Sequence, residues 1–342
     1  MKKLLLLPAL LLGISSTVSA QLQETETIYS SQKYDDQNKD TVAWLKQATF
    51  NLAGSQGMMH NWSAGGELSS FAVNGLFNGN VTRLYHRHVW SNTLDLAYGN
   101  IYQYSDNFQP RKNADKIDLT SKYGYRMSTS GNWYVTAILN ARTQFSKGYS
   151  NVDYAVPNWR EFSTSRFLSP LYVLLSPGIE YRRGEELSVF FSPVAARATF
   201  VDKYYTSQNP EGAFGVLNGK SARVELGAYF SARYVKDLAK NLSYRGRLDL
   251  YTNYLAKDIK DETGTVIKKD SPANIDVLFD NVFSYKFFKY FSANLELTAM
   301  YDNDYPYNPP VDANGNKISR PMDFLGWWQI NQRFSLGFIY NF

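Results

Sequence analysis

The sequence predicts an all-β fold: a closed antiparallel transmembrane β-barrel of about 12 strands, with short periplasmic turns and long extracellular loops. Three observations predict it. Apolar residues recur at every second position through most of the chain, the period of a strand with one apolar face. In the last stretch, INQRFSLGFIYNF, residues Phe334, Leu336, Phe338, Tyr340 and Phe342 share one parity. Asn331, Arg333, Ser335, Gly337 and Asn341 fill the other, with Ile339 the exception. Second, the connections between these stretches alternate between short and long, which a soluble sandwich has no reason to do. Third, the chain opens with an export signal, and beyond it no stretch is apolar for long enough to cross a bilayer as a helix.

The elements follow in order. Residues 1–20, MKKLLLLPALLLGISSTVSA, read as a signal peptide: a basic start at Lys2 and Lys3, a short apolar run, and small residues at the cleavage site. Residues 21–43 are polar and acidic and read as a periplasmic N-terminal leader. Residues 44–342 read as the barrel. Twelve alternating segments are expected at 45–55, 66–77, 82–104, 115–129, 132–147, 167–182, 186–202, 221–236, 241–257, 274–288, 290–302 and 329–342. In NLSYRGRLDLYTNYL, for example, Leu242, Tyr244, Leu248, Leu250 and Tyr254 share a face, and Ser243, Arg245, Arg247, Asp249 and Asn253 share the other.

Short turns are expected at NGN after Phe77, STSGN before Trp133, RRGEE before Leu187, KDLAKN before Leu242 and a bend near Lys289. Long loops are expected at 56–65, 105–114, 148–166, 203–220, 258–273 and 303–328. An even strand number returns both chain ends to one side of the membrane. Hydrocarbon requires every backbone N–H and C=O to pair within the protein, and with no apolar helix only a closed sheet achieves this. Mean hydropathy is −0.39. A barrel shows such a value because only alternate residues face lipid. Aromatics near strand ends, including Trp90, Tyr98, Tyr102, Trp133, Tyr254, Phe287, Tyr301 and Tyr340, suit interfacial girdles.

Composition excludes several chemistries. With 0 cysteines there is no disulfide, thiolate metal site, thiol nucleophile or cysteine lipid anchor. The formal charge of +5 is nearly balanced once the two lysines of the signal are set aside, so a nucleic-acid partner is not expected.

Several stretches carry a resemblance: NWSAGGE (61–67), WSNTLDLAYG (90–99), DKIDLTSKYGY (115–125), ARTQFSKGY (141–149), FLSPLYVLLSPGIEY (167–181), FFSPVAARATFV (190–201) and TNYLAK (252–257). Together they resemble an uncharacterised outer-membrane β-barrel family of Bacteroidota-type bacteria, catalogued as a domain of unknown function. Ala195-Ala196-Arg197 departs from that pattern, where a Gly- or Lys-containing stretch is expected. The resemblance implies location and fold and no activity.

The polar parity is expected to point into the lumen. The lumen candidates are Arg126, Arg142, Arg223, Glu225, Arg245, Arg247, Asp249, Asp276, Asp280, Glu296 and Arg333, joined by Arg87, Lys122, Arg182, Arg233, Lys286, Asp95, Asp118 and Glu180. Unpaired, these charges form a polar conduit mildly favouring anions. Paired, they fill or constrict the barrel, because unpaired charge in a confined space is costly. Inward tyrosines such as Tyr134, Tyr172 and Tyr251 narrow it further. In the loop GMMHNWSAGGELSS, Asn61, Trp62, Gly65 and Gly66 are loop-contact candidates, and the alternative is a structural corner.

His86 and His88 in YHRHVW sit at i, i+2 and raise a metal question, but no convincing third ligand appears, so no metal or cofactor is expected. An acyl-hydrolase reading rests on His60 with Ser55 and Ser63 nearby; nothing orients that histidine, and no catalytic residue is assigned. VDANGNKIS (311–319) is an incomplete calcium loop.

Three functions stand open: a small-solute channel or transport-associated barrel, a non-conducting structural or partner-docking barrel, and a lipid-modifying enzyme of the outer membrane. The expected partners are outer-membrane lipid and lipopolysaccharide, the barrel-assembly machinery through Phe342, and a periplasmic or surface protein.

Overall fold

The computed structural model describes residues 42–58, 69–149, 157–184, 186–210, 212–260, 264, 266–268, 270–288, 291–302 and 325–341. Among them run β1 (Ala43–Met58), β2 (Ser69–Tyr85), β3 (His88–Gln103), β4 (Arg111–Arg126), β5 (Trp133–Thr143), β6 (Leu171–Arg183) and β7 (Leu187–Phe200). Then come a short helix α1 (Lys203–Thr206), β8 (Ala222–Ala239), β9 (Leu242–Asn253), a small hairpin β10 (Ile259–Lys260) and β11 (Val266–Lys268), β12 (Ile275–Phe288), β13 (Phe291–Tyr301) and β14 (Gln329–Asn341). Each of the twelve segments expected from the sequence overlaps a strand of the main sheet, and the third, 82–104, takes in the end of β2 as well as β3.

The sheet is antiparallel throughout, and each strand neighbours the next along the chain, with β10–β11 set aside. β1 also pairs with β14, Thr49–Leu52 against Phe338–Asn341, so the strand order returns to its start as a barrel. This seam is far shorter than the pairing of β1 with β2, which runs from Ala43 to Met58.

Two kinds of connection alternate. The turn end carries 86–87, 127–132, 184–186, 240–241 and 289–290; the loop end carries 59–68, 104–110, 144–170, 201–221, 254–274 and 302–328. The first hairpin corrects the sequence reading. The chain does not turn at Asn78-Gly79-Asn80. β2 continues through it to Tyr85, and His86 and Arg87 make the turn, His86 at φ +48°. The reason is visible in the side chains. Asn78 donates to Asp95 and Asn80 to Ser91 and Thr93 across the β2–β3 pair, so both amides belong to the inner wall rather than to a turn.

Outward positions are apolar and exposed: Phe50 and Leu52 on β1, Leu119 and Tyr123 on β4, Val135 and Leu139 on β5, Val224 and Leu226 on β8. Aromatics gather at both rims. Trp90, Trp133 and Phe287 are exposed near the turn end, Tyr98 and Tyr254 near the loop end; Tyr102 and Tyr301 are half-buried.

One irregularity resets a strand. Between Ser192 and Ala195 the β7–β8 register shifts, and β6–β7 shifts between Leu175 and Ile179. Pro193 has no N–H to give a ladder, so it suits such a bulge. Ser192 Oγ reaches the carbonyl oxygens of Pro177, 2.6 Å, and Val194, 3.1 Å. A Cβ on Gly178 would stand 2.2 Å from the Phe191 carbonyl oxygen, so only glycine fits opposite. The extra residue flips the inward parity of β7 from Ser188, Phe190 and Ser192 to Ala195, Arg197 and Thr199.

At the loop end, residues 163–169 and 202–205 fold against each other. Arg166 pairs with Asp202, the Asp202 N–H donates to Ser169 Oγ at 2.7 Å, and the Ser163 and Tyr205 hydroxyls lie 3.2 Å apart. Val201, Tyr205 and Val216 form a small apolar core beneath them.

Candidate functional site

Every charged lumen candidate whose side chain is described, Lys286 and Arg87 aside, sits on the inward parity and is buried or half-buried. The interior resolves into three levels.

Nearest the turn end is a knot on Glu180, which is 0 % exposed. Its carboxylate accepts four hydrogen bonds: Lys122 Nζ at 2.5 Å, Ser188 Oγ at 2.6 Å, Arg182 Nη2 at 2.7 Å and Thr136 Oγ1 at 3.0 Å. The donors come from β4, β5, β6 and β7. The Arg182 guanidinium lies 4.5 Å over the Tyr134 ring, and Arg126 lies 5.9 Å over the same ring. Arg126 also donates to the Gly131 carbonyl oxygen at 2.8 Å. Leu45, Leu84, Val89 and Tyr134 close an apolar patch beside this knot.

Near the loop end is a second knot on Arg197. Its guanidinium grips Glu225 with two hydrogen bonds, 2.6 and 3.1 Å, and reaches Asp276 on β12 at 3.1 Å. It stacks 4.2 Å over Tyr251. Glu225 takes further bonds from Arg223 at 2.7 Å and Asn253 at 3.2 Å. Arg142 lies 5.2 Å over Tyr172 nearby.

Between them lies a mixed level. Ile138, Phe190, Ala195, Tyr229 and Tyr251 pack together on the inner faces of β5 and β7–β9. Arg247 pairs with Asp249, which also accepts from Ser231 at 2.6 Å; Asp280 accepts from Thr298 at 2.7 Å. On β3–β4 the carboxylates Asp95 and Asp118 stand directly opposite each other in register, each held by an amide: Asn78 on Asp95, and Asn140 on Asp118 at 2.5 Å. Arg245 is half-buried, and Glu296 is buried in register with Arg333, whose side chain lies outside the described residues.

Three sequence readings need correction. Arg87 is not in the interior; it sits in the β2–β3 turn, where it donates to the carbonyl oxygens of Arg126 and Met127 and covers Tyr125. Lys286, though on the inward parity, is exposed near the turn end of β12. His86 and His88 do not share a strand face, because His86 is in the turn; His88 Nδ1 meets the Tyr123 hydroxyl on the outward face at 2.6 Å. The loop-contact candidates Asn61, Trp62, Gly65 and Gly66, with His60 and Phe342, lie outside the described residues.

Sequence reasoning missed Arg197, Lys116, Asn78 and Asn140. Pro193 was the available signal for Arg197: a proline inside a strand marks a bulge, and a bulge resets the parity beyond it.

Residues 55–149 match the model of a family described as a protein of unknown function (DUF3078), and the stretch includes four of the seven motifs that carry the family resemblance. No curated protein matches the chain. Among solved structures, the COG4313 outer membrane channel from Pseudomonas putida F1 is 12% identical, covering 90% of this chain and 98% of that one, with a TM-score of 0.38. The translocator domain of autotransporter NalP from Neisseria meningitidis is 10% identical over 90% of each chain, TM-score 0.36. A FadL homologue of Pseudomonas aeruginosa is 11% identical over 88% of each, TM-score 0.30. Likenesses this loose carry no functional information for this chain.

Proposed function

We propose that the protein is an outer-membrane β-barrel acting as a passive conduit for small solutes, with a charged and constricted lumen. One observation carries the reading: inward charges meet across the ring rather than only along it. Arg197 on β7 bonds Asp276 on β12, with β8 and β9 between them. β9, which carries Arg247, and β3, which carries Asp95, stand opposite each other in the strand order. Five strands separate β9 from β3 in either direction, so those two walls face each other across the full width. Eight-stranded barrels are filled by side chains, and those of about 16 strands hold an open aqueous channel. At twelve strands, long side chains decide the bore, and here arginines reach inward from both ends.

The short turns then face the periplasm and the long loops the exterior. The exposed apolar band meets lipid and lipopolysaccharide, and a closed sheet satisfies its backbone there. A cleaved signal at residues 1–20 delivers the chain, and the C-terminal Phe342 recruits the assembly machinery. We assign no enzymatic role. The acyl-hydrolase reading rests on His60, which lies outside the described residues.

Conductance of the purified, folded protein in planar bilayers tests this reading. The expected result is small, discrete steps. Silent membranes carrying correctly folded protein favour the partner-docking alternative instead. Deleting Phe342 is expected to lower the yield of heat-modifiable barrel in the outer-membrane fraction without changing export.

A further inference from the structure

We infer that the mid-level of the interior selects small zwitterions, solutes carrying an ammonium and a carboxylate a few ångströms apart; this rests on the conduit reading. Opposite walls carry opposite charge. On β8–β9, Arg233 and Arg247 stand directly across from each other in register, with Arg245 two residues along. On β3–β4, Asp95 and Asp118 do the same. β9 and β3 are diametrically placed in the strand order.

Neither wall is pure. Lys116, two residues from Asp118, lies on the carboxylate wall; Asp249 and Asp280 lie among the arginines. Each wall keeps an excess of its own sign: two carboxylates against one lysine, three arginines against two carboxylates. Lys122 is taken up by Glu180.

The way the carboxylates are held matters. Asp95 and Asp118 are bonded by the amides of Asn78 and Asn140, donors that carry no charge of their own, and Asp95 is buried. Asp118, Arg233, Arg245 and Arg247 are half-buried. A field directed across a confined, low-dielectric passage acts most strongly on a solute that places one charge at each wall. A net anion or cation gains at one wall and loses at the other. A neutral molecule gains little from either.

The test uses four solutes of nearly one size: alanine (zwitterion), lactamide (neutral), lactate (anion) and alaninamide (cation). Osmotic swelling of proteoliposomes carrying the full mature chain reports entry. Alanine is expected to enter about threefold or more faster than lactamide, a preference of the size that one partly screened charge pair provides. The double variant Asp95→Asn/Asp118→Asn, and separately Arg233→Gln/Arg247→Gln, should bring that ratio close to one. Folding of each variant is checked by its heat-modifiable mobility; should a double variant fail to fold, Asp118→Asn alone keeps the test, because Asn140 retains Thr120 as a partner at 2.9 Å. Equal alanine and lactamide rates in the natural chain overturn the inference and leave the conduit standing. So does a ratio that neither double variant moves. Entry of none of the four overturns the conduit, and the inference with it.

Discussion

The two ion-pair knots use the same chemistry in different surroundings. Glu180 is enclosed on all sides: its side chain is 0% exposed, with Arg182 at 7% and Lys122 at 14%. In the other, Glu225 is nearly as enclosed at 4%, but Arg197, Asp276 and Arg223 stand at 28%, 26% and 24%. Dependence runs in opposite directions. At the turn end, two cations and two hydroxyls converge on one carboxylate. At the loop end, one arginine is shared by two carboxylates, and water reaches the arrangement. The first knot behaves as a buried charge cluster, in which removing one member strands the others. The second can lose a member and resolvate.

Glu180→Gln should therefore have the largest effect. Lys122 and Arg182 would remain buried without their counter-charge, and breaking one partner of a buried pair costs on the order of 3–5 kcal/mol. The expected outcome is a large drop in the urea midpoint of the folded barrel, read by heat-modifiable mobility. Adding Lys122→Met should recover part of the loss, because one stranded charge is then gone. No recovery would mean that Glu180 acts through its hydroxyl partners Thr136 and Ser188 rather than through charge.

The bulge in β7 supplies the next largest effect, and it shows how far the sequence could be read. Strand positions were legible because the outward parity is apolar almost everywhere: Phe50 and Leu52 on β1, and Trp133, Val135, Ala137 and Leu139 on β5. So was the inward placement of Glu180, Glu225 and Asp276, which follows from parity alone. What was not legible is anything that breaks parity or joins distant strands. Arg197 shares no parity with Ser188 or Phe190, and only the extra residue at Pro193-Val194 turns it inward. The asparagines of NGN carry a turn signal in their sequence and a wall function in the fold, because their amides are committed to β3. No local pattern announces that β7 meets β12. Inserting one alanine between Val194 and Ala195 should shift β7 beyond it by one position and reverse its parity there. Arg197 would then face outward, and an arginine toward lipid costs about 2–4 kcal/mol at the bilayer midplane and less near the interface. Folded yield should fall accordingly, and adding Arg197→Leu should restore much of it. An unchanged yield on insertion alone would show that the bulge can absorb a further residue without turning the arginine out.

Asp276→Asn should have the smallest effect, and it separates the knots most cleanly. Arg197 keeps its two bonds to Glu225 and its place over Tyr251, so no charge is stranded. The amide introduced by the substitution still offers an oxygen at the same position. Partly exposed pairs contribute about 0–1 kcal/mol, and a shift of that size in the urea midpoint is expected. The stronger consequence is electrical. Removing one negative charge near the loop-end mouth leaves Arg197 and Arg223 facing Glu225 alone, so the reversal potential in a salt gradient should move toward anions, and more so at low salt, where screening is weak. A stability loss as large as that of Glu180→Gln would show that the loop-end knot is as dry as the turn-end one, and the contrast between them would fail.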